Sequence, residues 1–271
     1  MPTSPLTPLV ALFLAALAPL GAAAQSQVDE LVRIEVLDGG RTAGGGYQAA
    51  LRLHLSEGWK TYWRAPGEAG IPPQFDWRGS ENLGGVAISW PTPVVFDQGG
   101  MRSIGYHDQL VLPIEITPAR PDAPVRLRGQ VEIGLCKDVC IPGTLAFDHR
   151  LDAGADRHPA IAAALAQRPY SEAEAGLRSA TCRVTPSGDG MRIEAHLTMP
   201  SAGGREVAVI EPGSSAIWAS ETETSRRGEV LIAASDLVSV TGGAFALDRS
   251  LVRITVLGEN HAVDIHGCTS G

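Results

Sequence analysis

From Val28 onward, apolar and polar residues alternate in short runs broken by Gly, Pro, Asp and Asn. Leu31–Val36, Tyr47–Leu55 and Val125–Leu135 repeat with a period of two, which places alternate side chains on opposite faces of a β-strand. Turn residues recur about every 8–12 positions, a rhythm that predicts antiparallel sheets stacked as a sandwich. One stretch breaks the rhythm. Residues 158–168 (HPAIAAALAQR) are alanine-rich, with Pro159 suited to a first helical turn and Pro169 ending the run. The period of two then resumes over Thr181–Thr185, Met191–Thr198, Glu206–Ile210, Glu229–Ala233, Leu251–Leu257 and Ala262–Ile265. The segment 186–190 (PSGDG) reads as a hairpin turn. The expected fold is all-β: a first β-sandwich over 25–152, a linker with a short helix over 153–178, and a second β-sandwich over 179–271.

The first 24 residues change the picture of where the chain works. Leu9–Leu20 is apolar and Ala22-Ala23-Ala24 supplies small residues, so a cleaved signal peptide over 1–24 is expected, with cleavage before Gln25. No Lys or Arg precedes the apolar run, which is shorter than the roughly 20 residues needed to span a bilayer. The mature chain is therefore expected to be periplasmic and not membrane-spanning. With 44% hydrophobic and 19% charged residues it can build a packed core. A net charge of −8 argues against nucleic acid and anionic membrane surfaces as partners.

Export gives the 4 cysteines an oxidising setting, and they allow three pairings. Cys136 and Cys140 are near neighbours, whereas Cys182 and Cys268 lie far from them and from each other. Val125, Leu127, Val131, Ile133 and Leu135 share one strand parity; Arg126, Arg128, Gln130, Glu132 and Cys136 share the other. Parity thus puts Cys136 on the polar face at a strand end, residues 137–139 in a turn, and Cys140 at the start of the returning strand. Within this hairpin tip Cys136 is expected to be the better exposed. A short exposed disulfide is of the exchangeable kind. Lys137 favours a Cys136 thiolate and Asp138 opposes it. Cys182 lies on the first strand of the second domain and Cys268 just after its last, which reads as a structural disulfide closing a long loop. A soft-metal site drawn from Cys136, Cys140, Met101 and His107 is an alternative without supporting spacing. No cofactor and no metal is expected.

The run 58–70 (GWKTYWRAPGEAG) with Pro72-Pro73, then Trp90-Pro91, Gly105-Tyr106, Leu112-Pro113 and Cys136-x3-Cys140-Ile141-Pro142, resembles the N-terminal periplasmic domain family of the thiol:disulfide interchange protein DsbD, in its ScsB-like branch. The likeness covers roughly residues 28–152. It implies immunoglobulin-like sandwiches and a redox-active pair at Cys136 and Cys140. That pair would take electrons from a membrane electron-transfer protein and pass them to periplasmic thioredoxin-like proteins. Family members usually continue into a polytopic membrane domain and a thioredoxin-like domain. The 271 residues hold neither, nor a C-x-x-C, so exchange with separate proteins is expected. The likeness favours Cys140 as the attacking thiol where parity favours Cys136, and the order stays open. Trp59–Glu68 reads either as core packing or, through the resemblance, as a cover over the pair, with Tyr62, Trp63 and Arg64 the residues to place. The rival function is a binding module, a copper-tolerance or assembly subunit, whose disulfides are only structural.

Overall fold

The computed structural model describes residues 28–68, 70–98, 100–188 and 190–271. The expected signal peptide over 1–24 lies outside them. After one helical turn over 28–31, the first domain runs through β1 (Val32–Arg41), β2 (Tyr47–Leu55), β3 (Lys60–Tyr62), β4 (Gln74–Asp76), β5 (Leu83–Ile88), β6 (Val94–Gln98), β7 (Met101–His107), β8 (Gln109–Pro118), β9 (Arg126–Cys136) and β10 (Cys140–Arg150). These strands form two sheets, ordered β1-β2-β8-β5 and β10-β9-β3-β7-β6, with β4 added on β9. The inward parities of both sheets interdigitate: Leu51, Leu53, Leu112, Ile114 and Ile116 from one, Leu127, Val131, Ile133, Leu135, Ile104 and Trp63 from the other. This is the face-to-face packing of a β-sandwich, with the strands giving alternate side chains to the core.

The expected linker helix is present as α1 (Pro159–Ala166), one or two residues shorter at each end. The His158 side chain caps it, with Nδ1 accepting from the Ala160 amide at 3.2 Å. Its buried residues Ile161 and Ala164 pack on Leu37, Ala50 and Val111, the outward parity of the first sheet. The helix therefore covers the back of a sheet whose two faces are both apolar near β8.

The second domain comprises β11 (Ser179–Ser187), β12 (Gly190–Thr198), β13 (Val207–Glu211), β14 (Ile217–Ala219), β15 (Glu223–Arg227), β16 (Val230–Ser239), β17 (Arg253–Leu257), β18 (Ala262–His266) and β19 (Thr269–Ser270). A sheet ordered β14-β16-β12-β11-β19, with β15 on β16, stacks on a three-stranded sheet β13-β17-β18. Ile193, Leu197, Leu231, Leu237, Ile254, Val256 and Ile265 fill the space between. The fold is thus all-β, two immunoglobulin-like sandwiches joined by a short helical linker. Val207, Leu257 and Ala262 of the second domain belong to the apolar cluster of the first, so the two cores meet. No helix among the described residues is long and apolar enough to cross a membrane.

Candidate functional site

Strands β9 and β10 pair without a register shift, from Arg150 opposite Arg126 to Cys140 opposite Cys136. The turn at 137–139 is closed by the Lys137 amide donating to the Val139 carbonyl at 3.1 Å. Two cysteines directly opposite at the last rung lie within bridging reach, and Cys136 and Cys140 form a disulfide.

The exposure of the pair is the reverse of the parity expectation. Cys136 is fully buried, and Cys140 is exposed. Two features account for this. First, β9 is an internal strand: at Cys136 it pairs with β10 on one side and with Lys60 of β3 on the other. Strand β10 is the sheet edge, so Cys140 has a neighbour on one side only. Second, the polar row Arg126, Arg128, Gln130, Glu132 ends at Gly134, which has no side chain. The Tyr62 ring lies there instead, and a Cβ on Gly134 would sit 2.8 Å from its Cδ2 and Cε2. The polar face of β9 is therefore wet along most of its length and sealed at the end that carries Cys136.

Tyr62 is the residue of the aromatic run that reaches the disulfide. It is buried, and its hydroxyl lies 3.3 Å from Cys140 Sγ. The disulfide sulfur carries no proton, so the phenol donates. Gly70 closes the slot from the other side: a Cβ there would stand 2.9 Å from Tyr62 Cδ1 and 2.3 Å from Pro66 Cβ. Below it, Thr61 Oγ1 donates to the Gly134 carbonyl at 2.9 Å, which locks β3 to β9 at this level. Ile71, in contact with Gly134, and Val139, the turn residue next to Cys140, are exposed apolar side chains.

The neighbouring residues go elsewhere. Trp63 is fully buried in the first core, with its amide donating to the Ile104 carbonyl at 2.9 Å. Arg64 stacks on it, Cζ 3.9 Å from the ring centroid, and reaches across to the second domain. There its Nε and Nη2 donate to the two carboxylate oxygens of Glu211 at 3.1 and 3.0 Å, and Nη2 also to Thr255 Oγ1 at 3.0 Å. Burial pulls the Arg64 guanidinium below its ordinary pKa, against the pull of Glu211. Burial raises the nearby Asp264 carboxyl, but hydrogen bonding and charge from Arg253, with Arg64 adding to them, leave it below the usual carboxylate range. Lys137 directs its ammonium to the Glu57 carbonyl at 3.2 Å. Lys60, opposite Cys136 in register, sends its own over the Phe96 ring, 4.8 Å from the centroid.

The remaining cysteines form the second disulfide, Cys182–Cys268. It joins β11 to the residue after the Gly267 bend, next to the short β19 that pairs in parallel with β11. Cys182 is fully buried in the second core. Met101 and His107 are both exposed, and His107 Nδ1 lies 2.5 Å from Asp108 Oδ2. Among the described residues, no group of three or more His, Cys, Asp and Glu is placed to hold a metal ion.

Two comparisons place this geometry among known proteins. The family described as thiol:disulfide interchange protein DsbD, N-terminal, matches residues 27–150. No curated protein matches the chain as a sequence relative. Among solved structures, the N-terminal periplasmic domain of ScsB from Proteus mirabilis superposes with a TM-score of 0.68 at 20% identity, covering 89% of this chain and 95% of that one. The likeness extends over both sandwiches and is a likeness of fold.

Proposed function

Because residues 27–150 belong to the N-terminal domain family of the thiol:disulfide interchange protein DsbD, we propose that this thiol–disulfide interchange module works in the periplasm and passes reducing equivalents through Cys136 and Cys140 to or from thioredoxin-like partners. A membrane electron-transfer protein is the other partner in this reading, and Cys182–Cys268 is structural. The observation that carries the reading is the unequal placement of the two cysteines, Cys140 exposed and Cys136 buried, at an open sheet edge.

An incoming thiolate meets Cys140 first. It attacks Cys140 Sγ, the Cys136–Cys140 bond breaks, and its electron pair leaves on the Cys136 sulfur, which takes up a proton. A mixed disulfide now links the partner to Cys140. The partner's second thiol, deprotonated, attacks the partner sulfur of that bond, and Cys140 departs as a thiolate. The partner ends oxidised to a disulfide and this chain reduced to a dithiol, a two-electron transfer. In the reverse direction the Cys140 thiolate attacks a partner disulfide and Cys136 resolves the intermediate. The Tyr62 hydroxyl is placed to donate to the Cys140 thiolate in either direction, which favours the charged form.

Cys136→Ser is expected to accumulate a mixed disulfide through Cys140 when mixed with an oxidised thioredoxin-like protein, seen on a non-reducing gel. Cys140→Ser is expected to accumulate none. Trapping through Cys136 alone would overturn the assignment, and trapping through neither would leave the pair as a hairpin staple.

A further inference from the structure

The segment that covers the disulfide is tied to the second domain at the buried Arg64–Glu211 contact and, nearer the surface, by Glu68 Oε1 accepting from the Glu221 amide at 3.5 Å. Tyr62, beside Cys140, and Arg64, in the domain interface, are separated by Trp63 alone. Trp63 is fully buried, so neither neighbour shifts without disturbing it. Pro66 and Gly70 lie close against each other, and Gly70 against Tyr62. The side chain of Arg64 is only 13% exposed, with Glu211 at 23% and Asp264 at 17%. The contact is bidentate with Glu211, with Asp264 further out at 3.9 Å and itself held by Arg253. Every acceptor in this set comes from β13, β17 or β18 of the second domain. A second ionic contact, Arg102 with Glu221 at 2.8 Å, crosses the same interface from β7. A cleft of 530 Å³ lies between, bordered by Pro66, Pro72 and Ile104 on one side and Glu211, Trp218 and Glu221 on the other.

We propose that Arg64 is a positioning residue through which the second domain controls how readily Cys136–Cys140 is reduced. The physical reason is the asymmetry of a buried ion pair: intact, it contributes modestly, but loss of one partner strands the other charge in a place that cannot solvate it. Removing the Glu211 carboxylate therefore drives Arg64 toward water. Arg64 carries with it the stack on Trp63 and the Pro66–Gly70 wall of the Tyr62 slot. The buried Cys136 side of the bond gains access to solvent while the second sandwich keeps its core. The coupling has a definite direction: whatever engages the acidic strand ends of the second domain loosens the cover of a disulfide in the first. This inference rests on the exchange reading above, but its primary readout does not need a protein partner.

The test uses the full mature chain and its two disulfides, the second acting as an internal control. Glu211→Gln is treated with dithiothreitol, and free thiols are alkylated and assigned by mass spectrometry over time. Reduction of Cys136–Cys140 is expected to run on the order of tenfold faster than in the unaltered protein, with Cys182–Cys268 unchanged. Arg102→Gln removes the other ionic contact of the interface and leaves the Arg64–Glu211 pair in place, and is expected to leave both rates unchanged. If Glu211→Gln does not fold, Glu211→Asp replaces it, with a smaller acceleration in the same disulfide. An unchanged Cys136–Cys140 rate, equal acceleration in Arg102→Gln, or parallel acceleration of both disulfides would each overturn the proposal. Exchange with a reduced thioredoxin-like protein is measured alongside. Its absence in the unaltered protein would refute the proposed function, whereas its presence with equal rates in Glu211→Gln would refute this inference alone.

Discussion

The two disulfides of this chain sit in opposite settings. Cys136 and Cys140 are 4 positions apart and directly opposed at a hairpin tip, whereas Cys182 and Cys268 are 86 positions apart and join the first strand of a sandwich to its last residues. In the chain-entropy model the long loop contributes about 4.6 kcal/mol and the short one about 2 kcal/mol. The β9–β10 ladder, eleven rungs in register, already holds the hairpin together without its bond. The environments differ in the same sense: Cys182 lies within an apolar core, and Cys140 stands at a sheet edge beside a phenol hydroxyl. One bond adds little to folding and has a sulfur exposed at a sheet edge, which is the setting of the exchange role proposed for it.

That contrast can be broken in several ways. The largest expected effect is on stability. Cys182→Ser with Cys268→Ser should lower the melting temperature on the order of 10 °C in a calorimetric scan. Exchange activity at 25 °C should change less than about threefold. A folded double variant without activity would make the second disulfide part of the chemistry. Smaller, and confined to the first domain, is Tyr62→Phe. It keeps the ring in its glycine slot and removes the donor to Cys140. The reduced Cys140 thiol should then titrate at higher pH and alkylate several-fold more slowly at pH 7, because one hydrogen bond to a charged group is worth about 1.5–3 kcal/mol. Faster alkylation would mean that the hydroxyl shields the sulfur rather than activates it. Lys137→Ala should do least, under about twofold on the same alkylation rate, because an exposed ammonium engaged by a carbonyl is screened by water.

Much of the frame was legible in the sequence because it depends on local periodicity. Tyr47–Leu55 and the β9–β10 hairpin follow from alternation and turn residues, and α1 from an alanine run between prolines. The close spacing of Cys136 and Cys140 marks the hairpin whose last rung they bridge. What local pattern could not supply was the solvent exposure of each sulfur. Parity assigned Cys136 to the polar face and was correct about the face, but a face is wet only where nothing covers it. The cover comes from Tyr62, far upstream, fitting over Gly134. The one local hint is that glycine, interrupting a row of charged residues at the point where another side chain must approach. The division of labour within Tyr62-Trp63-Arg64 was equally hidden: one residue faces the sulfur, one the core, and one a carboxylate 147 positions away. Strand β15 (ETSRR) escaped detection because it has no apolar face; it forms by hydrogen bonding along the edge of β16.

The central claim is that the two disulfides differ in redox poise as they differ in placement. It is tested by equilibrating the mature protein in a graded series of dithiothreitol or glutathione buffers, alkylating, and reading each cysteine pair by mass spectrometry. The account predicts a potential for Cys136–Cys140 between about −120 and −270 mV, where thioredoxin-like exchange partners lie, and one for Cys182–Cys268 below about −300 mV. Two pairs titrating together below about −300 mV would contradict it and leave both as staples.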